Sequence, residues 1–327
     1  MLRRLAKSAL GAANRIGGLI DPVAASRRSC DAEPIFIVGL PRSGTTLLYE
    51  LIVQAFNVAY LTKSYSYTYG LPNISTRLIA PAIRRPKASY VSKYGRIPGL
   101  LAPAENHVVW QKWFRETGEL GHYVAPELIS PDDAFEVNDM VRSLSAIAGR
   151  QYVFKNVYFS LSIAALMQTI TNARIVLIMR DSAAVAASLI RAGLERRSAD
   201  WWSVRPPFYR EWLDRDLCER VAYQTIRTEQ MVEHDLARLM PGRHIVVRYE
   251  QLCRDPRKFI EEFHDWAGDT LSLRQHGNVP AAFVAQPSAA LPEDMSHRFL
   301  AVAGELQMTR EDYLARVDAH VEQIAAR

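Results

Sequence analysis

The chain of 327 residues is poor in cysteine, and none of its three cysteines forms a CxxC pair. Cys30, Cys218 and Cys253 lie far apart, which excludes a zinc ribbon, a thioredoxin-type motif and a disulfide scaffold, and favours a reducing compartment. No apolar run approaches the roughly 18 residues that a membrane-spanning helix requires. The HExxH, GxSxG and GxGxxG patterns are absent as well. The composition, with 49% hydrophobic and 23% charged residues, is that of an ordinary globular protein.

Excess basic charge is confined to a leader, residues 1–30. This leader holds six Arg or Lys residues against Asp21 alone, which accounts for the whole net charge of +5. The balanced remainder gives no indication of nucleic-acid binding. Apolar residues recur at helical spacing within the leader and predict an amphipathic helix. Three roles stay open for this helix: it packs on the body, it contacts anionic lipid through residues 1–28, or it is a targeting segment. We therefore expect a cytoplasmic protein, with peripheral membrane contact as an open alternative.

Four short runs rich in Ile, Val and Phe predict strands in a single domain over residues 31–327. They are residues 35–38, 152–154, 175–179 and 245–247. Helical patterns lie between them, which predicts an α/β fold with a parallel sheet flanked by helices. Residues 60–130 are rich in Tyr, Pro, Gly and Ser, and we interpret them as a mainly helical or irregular insertion that covers the substrate.

A glycine-containing turn joins the first predicted strand to a helix. It consists of Pro41, Arg42, Ser43, Gly44, Thr45 and Thr46. The spacing from Gly39 to Gly44 and Thr46 is that of a P-loop, whose backbone N–H groups and helix dipole attract phosphate. Nucleotide triphosphatases carry Lys directly after the second glycine, where this chain has Thr45 and places its cation earlier, at Arg42. The turn is therefore predicted to bind the 5′ phosphate of a nucleotide rather than ATP with magnesium.

A second anion site is predicted where the strand at 175–179 ends. Arg180 follows that strand directly, at the edge where open α/β sheets bind ligands. Ser188 lies on the next helical stretch and is expected to reach the same pocket. One guanidinium with one hydroxyl suits a phosphate monoester.

These segments resemble the sulfotransferases that use 3′-phosphoadenosine 5′-phosphosulfate (PAPS), in the motif style of bacterial, carbohydrate and tyrosylprotein members. PRSGTT at 41–46 is similar to the family's 5′-phosphosulfate loop, and Arg180 with Ser188 resembles its 3′-phosphate motif. VFKN at 153–156 resembles its lysine segment, and RYEQL with the later DP, within 248–256, resembles a strand-to-helix element. The resemblance implies a P-loop-type sulfotransferase fold and PAPS as sulfuryl donor, with no metal.

Sulfuryl transfer to a hydroxyl needs cations at the leaving phosphate and a general base at the acceptor. Arg42 and Lys155 are the candidate cations, and the resemblance gives Lys155 the role of catalytic lysine. Glu105 and His107 are the candidate bases, since they lie where some bacterial relatives carry an acidic segment. On a helix these two positions point about 200° apart, so only one of them is expected to face the pocket. Glu105 is favoured and His107 is its rival.

The sequence thus predicts a PAPS-dependent O-sulfotransferase. Its expected acceptor is a hydroxyl on a carbohydrate, a glycolipid or another small molecule, with no nucleic acid as partner. Two alternatives stay open. One is a P-loop kinase that acts on a small molecule with ATP and magnesium, and the other is an inactive nucleotide-binding scaffold. The oligomeric state is not predicted.

Overall fold

A computed structural model describes residues 2–28, 33–83, 88–92, 95–196, 201–268, 279–285 and 291–326, with side chains from residue 8 onward. The strands are β1 (Ile35–Val38), β2 (Val153–Lys155), β3 (Arg174–Met179) and β4 (His244–Arg248). The helices are α1 (Leu2–Ile20), α2 (Thr45–Ala55), α3 (Pro72–Ile79), α4 (His107–Trp110), α5 (Pro131–Ala148), α6 (Ile163–Thr169), α7 (Ser182–Arg196), α8 (Leu217–Leu236), α9 (Tyr249–Arg254), α10 (Pro256–Ala267), α11 (Glu293–Met308) and α12 (Arg310–Ala325). Ser29 and Cys30, the last two residues of the leader, lie outside the described residues.

The four strands form one parallel sheet in the order β2-β1-β3-β4. The prediction of an α/β fold with a parallel sheet flanked by helices is confirmed. Each strand lies where the sequence predicts it, with boundaries that differ by a residue or so. Because parallel strands need crossover connections, the helices between them cover both faces of the sheet.

Side chains of β1 point alternately to the two faces, and both faces are buried. Ile35 and Ile37 belong to a cluster that includes Leu48 of α2. Phe36 points to the other side, where its ring meets Trp110 edge-on at 5.8 Å. Burial on both faces explains why the sequence shows a continuous apolar run here instead of an alternating one.

The predicted helix of the leader is present as α1, and it packs on the body. The Asn14 side chain donates to the Tyr67 carbonyl at 3.0 Å and accepts from the Gly70 N–H at 2.7 Å. After the helix, the buried Asp21 carboxylate accepts from the N–H groups of Asn73 and Ile74. Within the described part of the chain, no helix is long and apolar enough to cross a bilayer.

The described residues between 60 and 130 form short helices and turns. Their longest helix, α3, packs against α5, and the single turn of α4 buries Trp110 in the core beside the sheet. Farther along the chain, α11 and α12 pack on the long helix α8. Several described residues between 63 and 108 line a cavity that they share with residues at the carboxyl ends of the strands.

Candidate active site

A cavity of about 1020 Å³ opens at the carboxyl ends of the strands. Each strand brings a polar or aromatic side chain to its wall: Arg42 follows β1, Lys155 ends β2, Arg180 follows β3 and Tyr249 follows β4. This is the edge at which open parallel sheets bind their ligands. Arg42 and Arg180, one from each predicted anion site and far apart in sequence, thus share one cavity.

The turn after β1 is tightly packed at its two glycines. Gly39 has φ 154° and Gly44 has φ 99°, both in the region that favours glycine. A Cβ on Gly39 would lie 2.5 Å from the Ile178 carbonyl oxygen, and one on Gly44 would lie 2.4 Å from the Tyr249 ring. The Ser160 hydroxyl accepts from the Gly39 N–H and donates to the Gly39 carbonyl, both at 2.9 Å. Glycine is therefore required at both ends of the turn.

Arg42 has a left-handed backbone, with φ 72°. This conformation costs a non-glycine residue about 1–2 kcal/mol, and such outliers concentrate at functional sites. Its Nε donates to the Ser188 Oγ at 3.0 Å, while the Arg180 guanidinium donates to the Arg42 carbonyl at 3.1 Å. Burial and the nearby Arg180 charge lower the pKa of Arg42. Arg42 and Arg180 thus bring two positive charges to one cavity, where a bound anion would reduce their repulsion.

The other predicted loop residues divide into two groups. Pro41, Gly44, Thr45 and Thr46 line the cavity together with Arg42. Ser43 is buried beneath the loop, where its hydroxyl donates to the Leu40 carbonyl at 2.7 Å. Ser188 contacts Arg42 and is not among the residues that line the cavity. Ser43 and Ser188 thus bond to residues of the loop without lining the cavity.

Lys155 lies between the loop helix and a candidate base. Its side chain is only 3% exposed, and its Nζ donates to the Thr46 Oγ1 at 3.2 Å. The same ammonium forms an ion pair with the Glu105 carboxylate, whose side chain is 28% exposed. These partners offset part of the cost of burying the ammonium group.

Glu105 and His107 both line the cavity, so the expectation that only one of them faces it is wrong. The expectation assumed a helix through both positions, whereas α4 begins at His107. Asn106 between them has φ 47°, and its side chain donates to the Thr62 carbonyl at 2.9 Å. This turn brings both side chains to the same wall.

The neighbours of His107 determine its tautomer. The Tyr158 N–H donates to the Asn156 Oδ1 at 3.1 Å, which leaves the Asn156 amide nitrogen to donate to the His107 Nδ1 at 3.3 Å. The His107 proton therefore lies on Nε2. The ring also stacks on Tyr158, with centroids 3.8 Å apart. Burial, reinforced by His122, lowers the pKa of His107 to about 4, so the ring is neutral at physiological pH.

The charge of the cavity wall favours an anionic ligand. Among the described residues the wall has a single carboxylate, that of Glu105. The basic side chains are Arg42, Lys63, Arg96, Lys155, Arg180 and Arg196. In the described part of the chain, no group of His, Cys, Asp and Glu side chains is arranged to hold a metal ion. The wall therefore suits a ligand with several negative charges.

The sequence reasoning missed an aromatic part of the wall. Tyr90 and Phe283 pack together with centroids 5.0 Å apart, and the Glu50 carboxylate accepts from the Tyr90 N–H at 3.2 Å. No periodic pattern marks either aromatic residue. The ring of Tyr249 lies 4.5 Å from the Arg180 guanidinium. Tyr249 belongs to the RYEQL segment, which resembles a family motif, so its place near the site could have been predicted.

A family model described as "Sulfotransferase family" matches residues 34–271. A search of curated proteins finds no match. Among solved structures, sulfotransferase STF9 from Mycobacterium avium is 16% identical, with a TM-score of 0.49, over 85% of this chain and 69% of that one. Sulfotransferase STF1 from Mycobacterium tuberculosis is 16% identical, with a TM-score of 0.47, over 86% and 76%. A sulfotransferase from Alicyclobacillus acidocaldarius is 15% identical, with a TM-score of 0.43, over 90% and 99%.

Proposed function

The chain belongs to the sulfotransferase family, and on that premise we propose that it transfers a sulfuryl group from PAPS to an acceptor hydroxyl. The acceptor we propose is a carbohydrate, a glycolipid or another small molecule. One observation carries the proposal: Arg42 from the first loop and Arg180 from the end of β3 line the same cavity. A donor with phosphate groups on both sides of its ribose calls for such a pair of cations.

The residues of the first loop fit the phosphosulfate end of this donor. Thr45 and Thr46 begin α2, so their backbone N–H groups and the helix dipole favour an anion there. Arg42 adds a charged donor, oriented by Ser188. Arg180 would hold the 3′ phosphate, since it lines the cavity while its guanidinium is braced by the Arg42 carbonyl and the Tyr249 ring.

Lys155 is suited to stabilise charge where the sulfuryl group leaves. When bound, PAPS supplies a sulfuryl group activated by its link to a phosphate, and negative charge grows on that phosphate during transfer. Lys155 is anchored to Thr46 at the start of the loop helix and is buried, so its charge is preorganised and poorly screened. Removing one such donor typically lowers the rate about 10²–10³-fold.

Glu105 is the better candidate for general base. The His107 Nδ1 accepts from Asn156, which leaves a protonated Nε2 that can donate a hydrogen bond but cannot accept a proton. The Glu105 carboxylate has free acceptor capacity beyond its ion pair with Lys155 and is partly exposed to the cavity. We therefore assign proton abstraction to Glu105 and hydrogen-bond donation to His107.

The proposal is tested by group transfer from two labelled donors. The protein is incubated with sulfur-labelled PAPS, or with γ-phosphorus-labelled ATP and magnesium, and with sugar, phenol and glycolipid acceptors. Transfer of labelled sulfate, absent in Glu105→Gln, would support the proposal. Transfer of labelled phosphate without transfer of sulfate would contradict it and identify a kinase. Tight binding of PAPS with no transfer to any acceptor would favour the inactive scaffold.

A further inference from the structure

The solvent-facing side of the chain is apolar over residues 16–23, at the end of α1 and in the turn after it. Ile16, Leu19, Ile20 and Val23 are 65%, 80%, 53% and 90% exposed. These positions are spaced by three and four residues and so form one stripe. Exposed large apolar side chains are ordinary when scattered, but a continuous stripe of four is characteristic of a contact surface.

Over residues 14–21, the side of α1 turned toward the body holds polar or small residues instead. Asn14 and Asp21 are buried there in hydrogen bonds to residues 67–74. Gly17 lies so close to Leu71 that a Cβ would come within 2.7 Å of the Leu71 side chain. This arrangement reverses that of an ordinary surface helix, in which the apolar stripe faces the core. Because polar contacts fix the helix, its apolar stripe is held outward.

The charges around this stripe have one sign. Arg15, Arg27 and Arg28 are exposed beside it or just after it. Arg3, Arg4 and Lys7 add further positive charge to the same leader in the sequence. Asp21 is the leader's one acidic residue, and its carboxylate is occupied by backbone and amide donors.

We propose that α1 docks on an anionic lipid bilayer, lying in the interface with Ile16, Leu19, Ile20 and Val23 inserted. An apolar stripe flanked by basic residues matches an anionic membrane surface in both polarity and charge. A second copy of the chain matches less well, because it would bring two basic leaders together. The proposal does not depend on the sulfotransferase activity.

Vesicle co-sedimentation tests the proposal with the full chain. We expect binding to phosphatidylcholine vesicles that contain phosphatidylglycerol, weaker binding at high salt, and little binding to phosphatidylcholine alone. Leu19→Asp/Ile20→Asp should lower binding to the anionic vesicles roughly tenfold or more. Met240→Asp/Met308→Asp is the matched control, since it makes the same charge change at two side chains that are 73% and 81% exposed elsewhere. The control should bind like the wild type.

Three outcomes would overturn the proposal. The first is a wild type that does not sediment with anionic vesicles, and the second is equal binding of the two double variants. The third is a dimer in light scattering that Leu19→Asp/Ile20→Asp converts to a monomer, which would assign the stripe to a second copy. None of these measurements needs PAPS or an acceptor. A result that overturns membrane docking therefore leaves the proposed activity unaffected.

Discussion

The Arg42 Nε donates a hydrogen bond of 3.0 Å to the Ser188 Oγ, joining the loop after β1 to helix α7. This bond links the two predicted anion sites, because α7 begins just after Arg180. Arg180 completes the connection by donating to the Arg42 carbonyl. The two guanidinium groups are therefore positioned by one network before any ligand binds, which lowers the cost of organising the site.

Arg42→Ala should lower kcat/KM by about 10²–10³-fold, because it removes a preorganised charge at the transferring group. Ser188→Ala should have a smaller effect, since Arg42 keeps its charge and loses only an orienting hydrogen bond. Steady-state kinetics with PAPS would measure both. Arg254→Ala, which changes an exposed arginine of α9, is the control and should leave the kinetics unchanged. Wild-type kinetics in Arg42→Ala would remove the loop from the mechanism.

Glu105→Gln should lower kcat by about 10²–10⁴-fold, the usual contribution of a general base, while His107→Gln should lose less. His107→Gln keeps an N–H donor at position 107, whereas Glu105→Gln removes the proton acceptor at position 105. Because the pKa of His107 is held at about 4, the pH profile of the wild type should show no ionisation of this ring near pH 6.5. A larger loss in His107→Gln than in Glu105→Gln would reverse the assignment.

His122 makes the stability of the fold depend on pH. Burial and the Arg205 charge lower its pKa in the folded state to about 3, whereas the unfolded chain has about 6.5. As the pH falls below about 6.5, the unfolded state binds a proton that the folded state does not, so stability decreases by up to about 1.4 kcal/mol per pH unit. Above about pH 6.5 both states are neutral and this contribution is complete.

His122→Gln isolates that contribution, because glutamine can still accept the Arg205 N–H that the His122 Nδ1 accepts at 2.9 Å. In urea unfolding, the stability of the wild type relative to this variant should fall by up to about 2 kcal/mol between about pH 7 and about pH 5. A difference that stays constant over this range would show that His122 is protonated equally in both states.

Glu50 anchors one wall of the cavity. Its carboxylate, on α2, accepts from the N–H groups of Ser89 at 3.3 Å and Tyr90 at 3.2 Å. Glu50→Ala should destabilise the fold by about 1–3 kcal/mol, since it leaves two backbone donors without this partner, and should raise the KM for PAPS. Glu50→Gln keeps a carbonyl acceptor and should be milder. If both variants have the stability and the KM of the wild type, the hydrogen bonds to Glu50 are not needed for the fold or the site.

The fold was predictable because its signals are local. Solid apolar runs mark buried parallel strands, and the glycines at 39 and 44 mark a turn in which a Cβ would clash. The meeting of Arg42 and Arg180 was also predictable, since both residues follow strands whose carboxyl ends share one edge. The structure brings these residues to one cavity, and their roles in binding remain a proposal.

The less regular parts of the site could not be predicted in the same way. Asn106 adopts a left-handed conformation fixed by contacts to Thr62 and Ser66, which lie far away in sequence. Because those contacts are not visible in the sequence, a helix was assumed through both positions, and it predicted that Glu105 and His107 point apart. The pairing of Tyr90 with Phe283 is likewise a tertiary contact between irregular segments. The apolar stripe of α1 was visible in the sequence, but its outward orientation depends on where Asn14 and Asp21 bond.

Calorimetric titration with 3′,5′-adenosine bisphosphate tests the central claim most directly. A charge-assisted hydrogen bond contributes about 1.5–3 kcal/mol, so the wild type should bind this bisphosphate about tenfold or more tightly than adenosine 5′-monophosphate. Arg180→Ala should bind the two nucleotides alike, while Arg254→Ala should keep the wild-type preference. Equal affinity of the wild type for both nucleotides, or tighter binding of ATP with magnesium, would contradict a cavity that holds a nucleotide by both of its phosphate-bearing ends.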